Sequence, residues 1–441
     1  MTSVEQQTQA VILSGGGANG AYEVGVMKAL CNGRSPATGY IPLEPDIFTG
    51  TSIGSFNAAF LVSLWETHGL ASVANLETVW LSRLSRDASS SVAAGSYRYL
   101  ANPLELLDPR RFVADPLGVV KRLAGDSLAL FWDFLDRFRY VVNSQEEEQL
   151  IERLLHTIAI DNFITREPFN RLLREVVKFD SIRRSAKLLR VAATNWETGH
   201  VEMFSNYDFT DKLGPRILMA SSAVPGFFPP ETVGAQPFVD GAVLMNTPLN
   251  PAIKAKANCL HVIYLDPEVN SIPLHYLSNL LSTLYRTQVI NWANTVNESI
   301  KEAEGVNDAL TLIRRAHREP DLEGVSARGA MQALSKFGGR LEQVARYRML
   351  RIHRYHPRDE LGGPLSLLDL RRERIEYLIE RGFHDAVIHD CVASKCVLPE
   401  KTSGEDGSRT GMTPTRWGEA PEAGAGEGIG TVLPSKDTPR T

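Results

Sequence analysis

Cysteine is scarce in this chain, with Cys31, Cys259, Cys391 and Cys396 the only four among 441 residues. No two of them have the C-x-x-C spacing, and a chain this long does not depend on a disulfide framework. Reduced and mostly buried thiols are the expectation. A large excess of one charge is also missing: 47 basic and 52 acidic residues leave a net charge of −5. With no basic stripe interleaved with aromatics, a general nucleic-acid binder is excluded. No stretch approaches the roughly 20 apolar residues that a membrane helix needs. The first residues, MTSVEQQTQAVILSGGG, have no basic n-region and only a short apolar run before the glycines. A secretory signal is therefore not expected, and the cytoplasm is the default compartment, with peripheral membrane contact left open. Solenoid and propeller periods are absent. So is H-E-x-x-H or any comparable ligand cluster, which leaves no catalytic metal indicated.

What is present is an ordinary globular composition, 43% hydrophobic and 22% charged. The length suits one large α/β domain with insertions, or two or three small ones. Ala10-Val11-Ile12-Leu13 reads as a strand buried on both faces, followed by the turn Ser14 to Gly20 and a helix over Ala21 to Leu30. The unit repeats with Pro45 to Thr49 as strand, Gly50 to Gly54 as turn and Ser55 to Glu66 as an apolar helix. Two such units in succession predict a parallel sheet covered by helices.

Residues 85–150 read as a helical insertion over one end of the sheet. Their segment Leu128 to Tyr140 carries aromatics on helical spacing, which suits either a helix packed on the core or a mobile lid that touches lipid. From Leu189 the α/β rhythm returns, with strands at Leu189 to Asn195, Val201 to Phe204 and Cys259 to Leu265. Residues 276–349 are helical in pattern. Met349 to Tyr355 alternates as a late strand, and a helix through Arg371 to Arg381 follows, with Gly382 as its cap. The tail 399–441 is rich in glycine and proline and poor in large apolar groups, so it is expected to be disordered. One domain over 8–395 is the resulting division.

Three segments carry chemistry. Gly50-Thr51-Ser52-Ile53-Gly54 is a G-x-S-x-G between a strand and a helix. There the small neighbours permit a sharp turn, and the serine hydroxyl stands near the positive end of a helix. Gly15-Gly16-Gly17-Ala18-Asn19-Gly20 satisfies G-x-G-x-x-G, but it lacks the lysine of a phosphate-binding P-loop. It also lacks the acidic residue that would close the second strand on a ribose. Its glycine amides at a helix N-terminus suit an oxyanion hole better than a nucleotide cradle. Val239-Asp240-Gly241-Ala242 places a carboxylate at a strand end, where it could serve Ser52 as base or simply make an Asp-Gly turn. His68, His156, His200, His261, His275, His353 and His356 all lie outside recognisable motifs. His261 is the first to follow Asp240 in Ser, Asp, His order, and it sits inside an apolar strand.

Taken together in order and spacing, these blocks resemble the patatin-like phospholipase family, as does Ala220 to Pro230 just ahead of the aspartate. The resemblance runs from about Val11 to Asp266, with a weaker likeness from Met349 to Val387. It implies a three-layer α/β/α fold with a mostly parallel central sheet, and a Ser-Asp dyad without histidine. Ser52 would be the nucleophile and Asp240 the general base. Gly15, Gly16 and Gly17 would hold the oxyanion, supported by Gly20, Gly50, Gly54 and Gly241. The implied reaction is hydrolysis of phospholipid or related acyl-lipid esters through an acyl-enzyme, with no cofactor, no metal and no nucleic-acid partner. A silent lipid-binding protein of the same fold and a nucleotide-dependent oxidoreductase are the alternatives. One departure stands out: the family often has Lys or Arg where this chain has Asn19.

Overall fold

The computed structural model describes residues 7–85, 98–99, 164–225, 227–266, 268, 280–318, 348–362 and 364–399. The expected insertion at 85–150, with its Leu128–Tyr140 segment, and the tail beyond Pro399 therefore lie almost wholly outside the described residues. The chain divides into Met1–Pro399 and Glu400–Thr441, and the described residues all belong to the first unit.

The chain opens with β1 (Gln9–Leu13), α1 (Gly20–Cys31), β2 (Ile47–Thr51), α2 (Ile53–His68) and α3 (Ser72–Val79). A small antiparallel pair, β3 (Arg98–Tyr99) and β4 (Ile164–Thr165), precedes α4 (Glu167–Val176) and α5 (Phe179–Arg184). Next come β5 (Leu188–Asn195), β6 (Val201–Ser205), α6 (Gly214–Ser221), β7 (Glu231–Val233) and β8 (Gln236–Asp240). The remainder is α7 (Leu249–Lys254), β9 (Cys259–Ile263), α8 (Leu280–Arg318), β10 (Arg351–Tyr355) and α9 (Arg372–Val387). Among the described residues no helix is long and apolar enough to cross a membrane.

The main sheet runs β10-β9-β1-β2-β5-β8-β7, with β6 also on β5. The five strands from β10 to β5 are parallel, while β6, β7 and β8 are antiparallel to their neighbours. Every residue of β2 is buried, and β1 is buried from Ala10 to Leu13, as a sheet covered on both sides requires. The alternation of β1 divides the core. Val11 and Leu13 pack with α1, α2 and α9, whereas Ala10 and Ile12 pack with α7 and α8. The result is the expected three-layer α/β/α arrangement.

The register of β5 carries the consequence for function. β6 occupies one edge of β5 along Arg190 to Thr194, so β2 and β8 share the other edge. β2 climbs that edge until Thr51 faces Ala192, and β8, running the opposite way, ends with Asp240 facing Ala193. Two C-terminal strand ends thus meet head-on, and the residue after Thr51 is Ser52.

The end of the chain corrects one expectation. Gly382 does not cap α9, which continues to Val387. A Cβ on Gly382 would lie 2.0 Å from the Tyr22 carbonyl oxygen, and one on Gly25 would lie 1.9 Å from that of Ile379. The two glycines let α1 and α9 touch backbone to backbone, a close-packing use of glycine that a local pattern does not distinguish from a cap.

Candidate active site

Ser52 sits between β2 and α2 with φ +54° and ψ −126°, in a region that a non-glycine residue enters at a cost of about 1–3 kcal/mol. Close neighbours hold it there. A Cβ on Gly50 would meet the Gly54 carbonyl oxygen at 2.4 Å, and one on Gly54 would meet that of Leu13 at 2.5 Å. Both glycines of the G-x-S-x-G are therefore required by packing. The Ser52 N–H donates to Ser221 Oγ at 2.9 Å, and the Ser221 hydroxyl in turn donates to the Ala192 carbonyl at 2.7 Å. The final residue of α6 thus ties the turn to β5.

The Ser52 hydroxyl donates to Asp240 Oδ2 at 2.7 Å, and both residues are buried. The other carboxylate oxygen of Asp240 accepts the Ala242 N–H at 2.8 Å. A Cβ on Gly241 would approach the Ala192 carbonyl oxygen to 2.5 Å, so glycine is needed where the chain leaves the carboxylate. Burial pushes the Asp240 pKa up to about 7, against opposing help from the Ser52 and Ala242 hydrogen bonds and the charge of Arg166. The outcome is a carboxylate poised to exchange a proton near neutrality.

The glycine loop lies beside this pair. A Cβ on Gly15 would come within 3.0 Å of the Ser52 Cβ. The Gly15 N–H is already engaged with the Asn246 carbonyl at 3.2 Å. Gly16 and Gly17 follow at the entry to α1, with Gly17 at φ +56°, a conformation suited to glycine. A Cβ on Gly20 would lie 2.7 Å from the Ile53 side chain, so this glycine lets α1 pack against the start of α2.

Asn19 is buried, and its Oδ1 accepts a hydrogen bond from Arg374 Nη2 at 2.9 Å. A cation of α9 is thereby held against the Asn19 side chain. No local pattern pairs residues so far apart, and sequence reasoning missed Arg374. A cavity of about 420 Å³ adjoins the loop, bordered by Ser14, Asn246, Leu265, Val289 and Trp292 on one part of its wall and by charged side chains such as Glu268, Arg286 and Arg354 on another. Trp292 of α8 donates its indole N–H to the Ala242 carbonyl, linking the cavity wall to the turn after Asp240.

His261, the first histidine after Asp240 in hydrolase order, is elsewhere. Its Nδ1 is 3.0 Å from the Tyr355 hydroxyl and its ring stacks on His353, at the β9–β10 edge of the sheet. That edge also gathers His353, His389, Cys391 and Cys396 into one group, the described residues best able to hold a metal. With no C-x-x-C pair among them, sequence reasoning missed these residues. The readable signal was His389-x-Cys391 followed by Cys396.

The frame and the turn define an α/β/α protein built around a serine elbow. The family model for patatin-like phospholipase matches residues 11–253, and the chain belongs to that family, whose members act on acyl lipids. No curated protein sequence matches the chain. Among solved structures it is similar to VipD from Legionella pneumophila, with 14% identity over 86% of this chain and a TM-score of 0.30. The match spans 66% of that longer protein, and at this level it carries no conclusion about the chain.

Proposed function

We propose that this protein hydrolyses carboxylic ester bonds of phospholipids or related acyl lipids, with Ser52 as nucleophile and Asp240 as general base. The observation that carries the reading is the 2.7 Å hydrogen bond from a serine in a strained elbow to a buried carboxylate. Ser52 Oγ attacks the ester carbonyl as Asp240 takes its proton, which then passes to the departing alcohol. A water molecule, deprotonated by Asp240, cleaves the acyl-serine and regenerates the hydroxyl.

The negative charge on the tetrahedral oxygen falls to the Gly16 and Gly17 amides at the head of α1. Gly15, whose amide is occupied by Asn246, contributes close approach to Ser52 instead. The adjoining cavity is large enough for part of an acyl lipid, with Leu265, Val289 and Trp292 beside the charged Glu268, Arg286 and Arg354 in its wall. Contact with a membrane surface belongs to the same reading, since the substrates reside there.

A lipid-panel hydrolysis assay with Ser52→Ala as control tests the proposal, alongside labelling by a fluorophosphonate probe. Release of fatty acid and probe adduct on Ser52, both lost in the variant, is expected. Hydrolysis persisting in Ser52→Ala would remove the reading.

A further inference from the structure

We propose that His353, His389, Cys391 and Cys396 form a structural zinc site that fastens the segment after α9 to the edge strand β10. The four candidate ligand atoms, two imidazole nitrogens and two thiol sulfurs, lie within 4.8 Å of one another. His353 Nδ1 is 3.5 Å from Cys391 Sγ, and His389 Nε2 is 3.4 Å from Cys396 Sγ. Zinc–sulfur bonds of about 2.3 Å and zinc–nitrogen bonds of about 2.0 Å at tetrahedral angles place neighbouring ligand atoms roughly 3.3–3.8 Å apart. Two edges of the tetrahedron already have that length, and side-chain shifts of about 1 Å or less close the others.

The surroundings hold the ligands in place. His353 stacks on His261 at 5.1 Å, and His389 packs against Tyr355 at 4.6 Å. The Arg354 N–H points at Cys396 Sγ from 3.3 Å, and the Ser394 hydroxyl is 3.5 Å from His389 Nδ1, the ring nitrogen left over for such a contact. Polar partners of this kind orient ligands and support negative charge on sulfur. The chain folds back tightly between the two cysteines. Lys395 takes φ +51°, and the Cys396 N–H donates to the Cys391 carbonyl at 2.9 Å.

A site of two histidines and two cysteines has no open position, which marks a structural ion rather than a catalytic one. It stands at the β10 edge, whereas Ser52 and Asp240 meet at β5. Ile352 and Val397 exchange both backbone hydrogen bonds, at 2.8 and 2.9 Å, so the returning segment already pairs with the edge strand. Zinc would lock that pairing and keep the edge covered. Binding exchanges two S–H bonds for two Zn–S bonds and releases two protons per ion, with no change of oxidation state.

The test uses the full chain, freed of any histidine tag and purified without chelator. Elemental analysis is expected to find one zinc per chain, falling to near zero in Cys391→Ser and Cys396→Ser. Because those variants could fail to fold, the wild-type chain is also stripped and reloaded with Co(II). Tetrahedral cobalt with thiolate ligands gives intense visible bands and a sulfur-to-metal charge-transfer band, and zinc should displace both. Failure to retain zinc after incubation and desalting would overturn the proposal, as would cobalt spectra lacking the charge-transfer band. A Cys391–Cys396 disulfide in freshly purified protein, two mass units lighter, would overturn it equally.

Discussion

Arg374 on α9 donates a hydrogen bond to Asn19 Oδ1 at 2.9 Å, and the same guanidinium reaches the Leu361 carbonyl. A side chain from α9 therefore holds the residue that links the glycine loop to α1. Burial lowers the Arg374 pKa, with Asp369 as the nearest opposing charge. Arg374→Met should lower stability by about 1–3 kcal/mol, because it leaves a buried amide oxygen unpaired. If Arg374 positions the loop, kcat should fall more than KM rises, and Arg374→Lys should recover part of kcat. A variant that loses stability while keeping kcat would assign Arg374 a purely structural role.

Ester hydrolysis should depend on pH through Asp240. With the carboxyl raised to about 7, the active anion is depleted below neutrality, so kcat/KM should rise with pH and level off above about 8. Asp240→Asn should reduce kcat by about 10²–10⁴-fold, the usual contribution of a general base. A flat profile from pH 5 to 8 would contradict this assignment.

The same group makes an opposite prediction for stability. A carboxyl whose pKa is higher in the folded than in the unfolded chain favours folding in its protonated form. That contribution is complete below about pH 4 and is lost as pH rises through about 7. Asp240→Asn removes the cost of the buried charge. Its melting temperature relative to wild type should therefore climb between pH 5 and pH 8, a difference readable by calorimetry.

Ser221 supports the elbow through its acceptance of the Ser52 N–H and its donation to Ala192. Ser221→Ala should slow acylation by about ten- to a hundredfold through loss of orientation, leaving KM nearly unchanged. Stopped-flow labelling with the fluorophosphonate probe measures that step directly, and an unchanged rate would show that the turn holds itself.

Gly382→Ala should destabilise the protein by about 1–3 kcal/mol or more, since the added methyl meets the Tyr22 carbonyl rather than a flexible side chain. Urea denaturation reads the change. A cost of only a few tenths of a kcal/mol would mean that α1 and α9 separate easily.

Part of the fold and of the site is legible in local sequence patterns. The turn around Ser52 is readable because Gly50, Gly54 and the change from strand to helical periodicity all lie within a few residues. The buried runs at Ala10–Leu13 and Cys259–Leu265 announce a sheet covered on both faces. Gly382 reads wrongly as a cap because a cap and a helix-packing glycine look alike until the partner helix is known. The pairing of Arg374 with Asn19 is invisible for a related reason, as 355 residues separate them.

By itself the sequence determined that a serine would stand in a tight turn between a strand and a helix, since turn chemistry and periodicity act over a few residues. Which carboxylate would meet that serine was decided by the tertiary structure. Asp240 lies 188 residues away and reaches Ser52 because β2 and β8 end head-on along one edge of β5. Strand register and helix contact join distant residues, and they likewise gather His353 with His389, Cys391 and Cys396 at the β10 edge of the sheet.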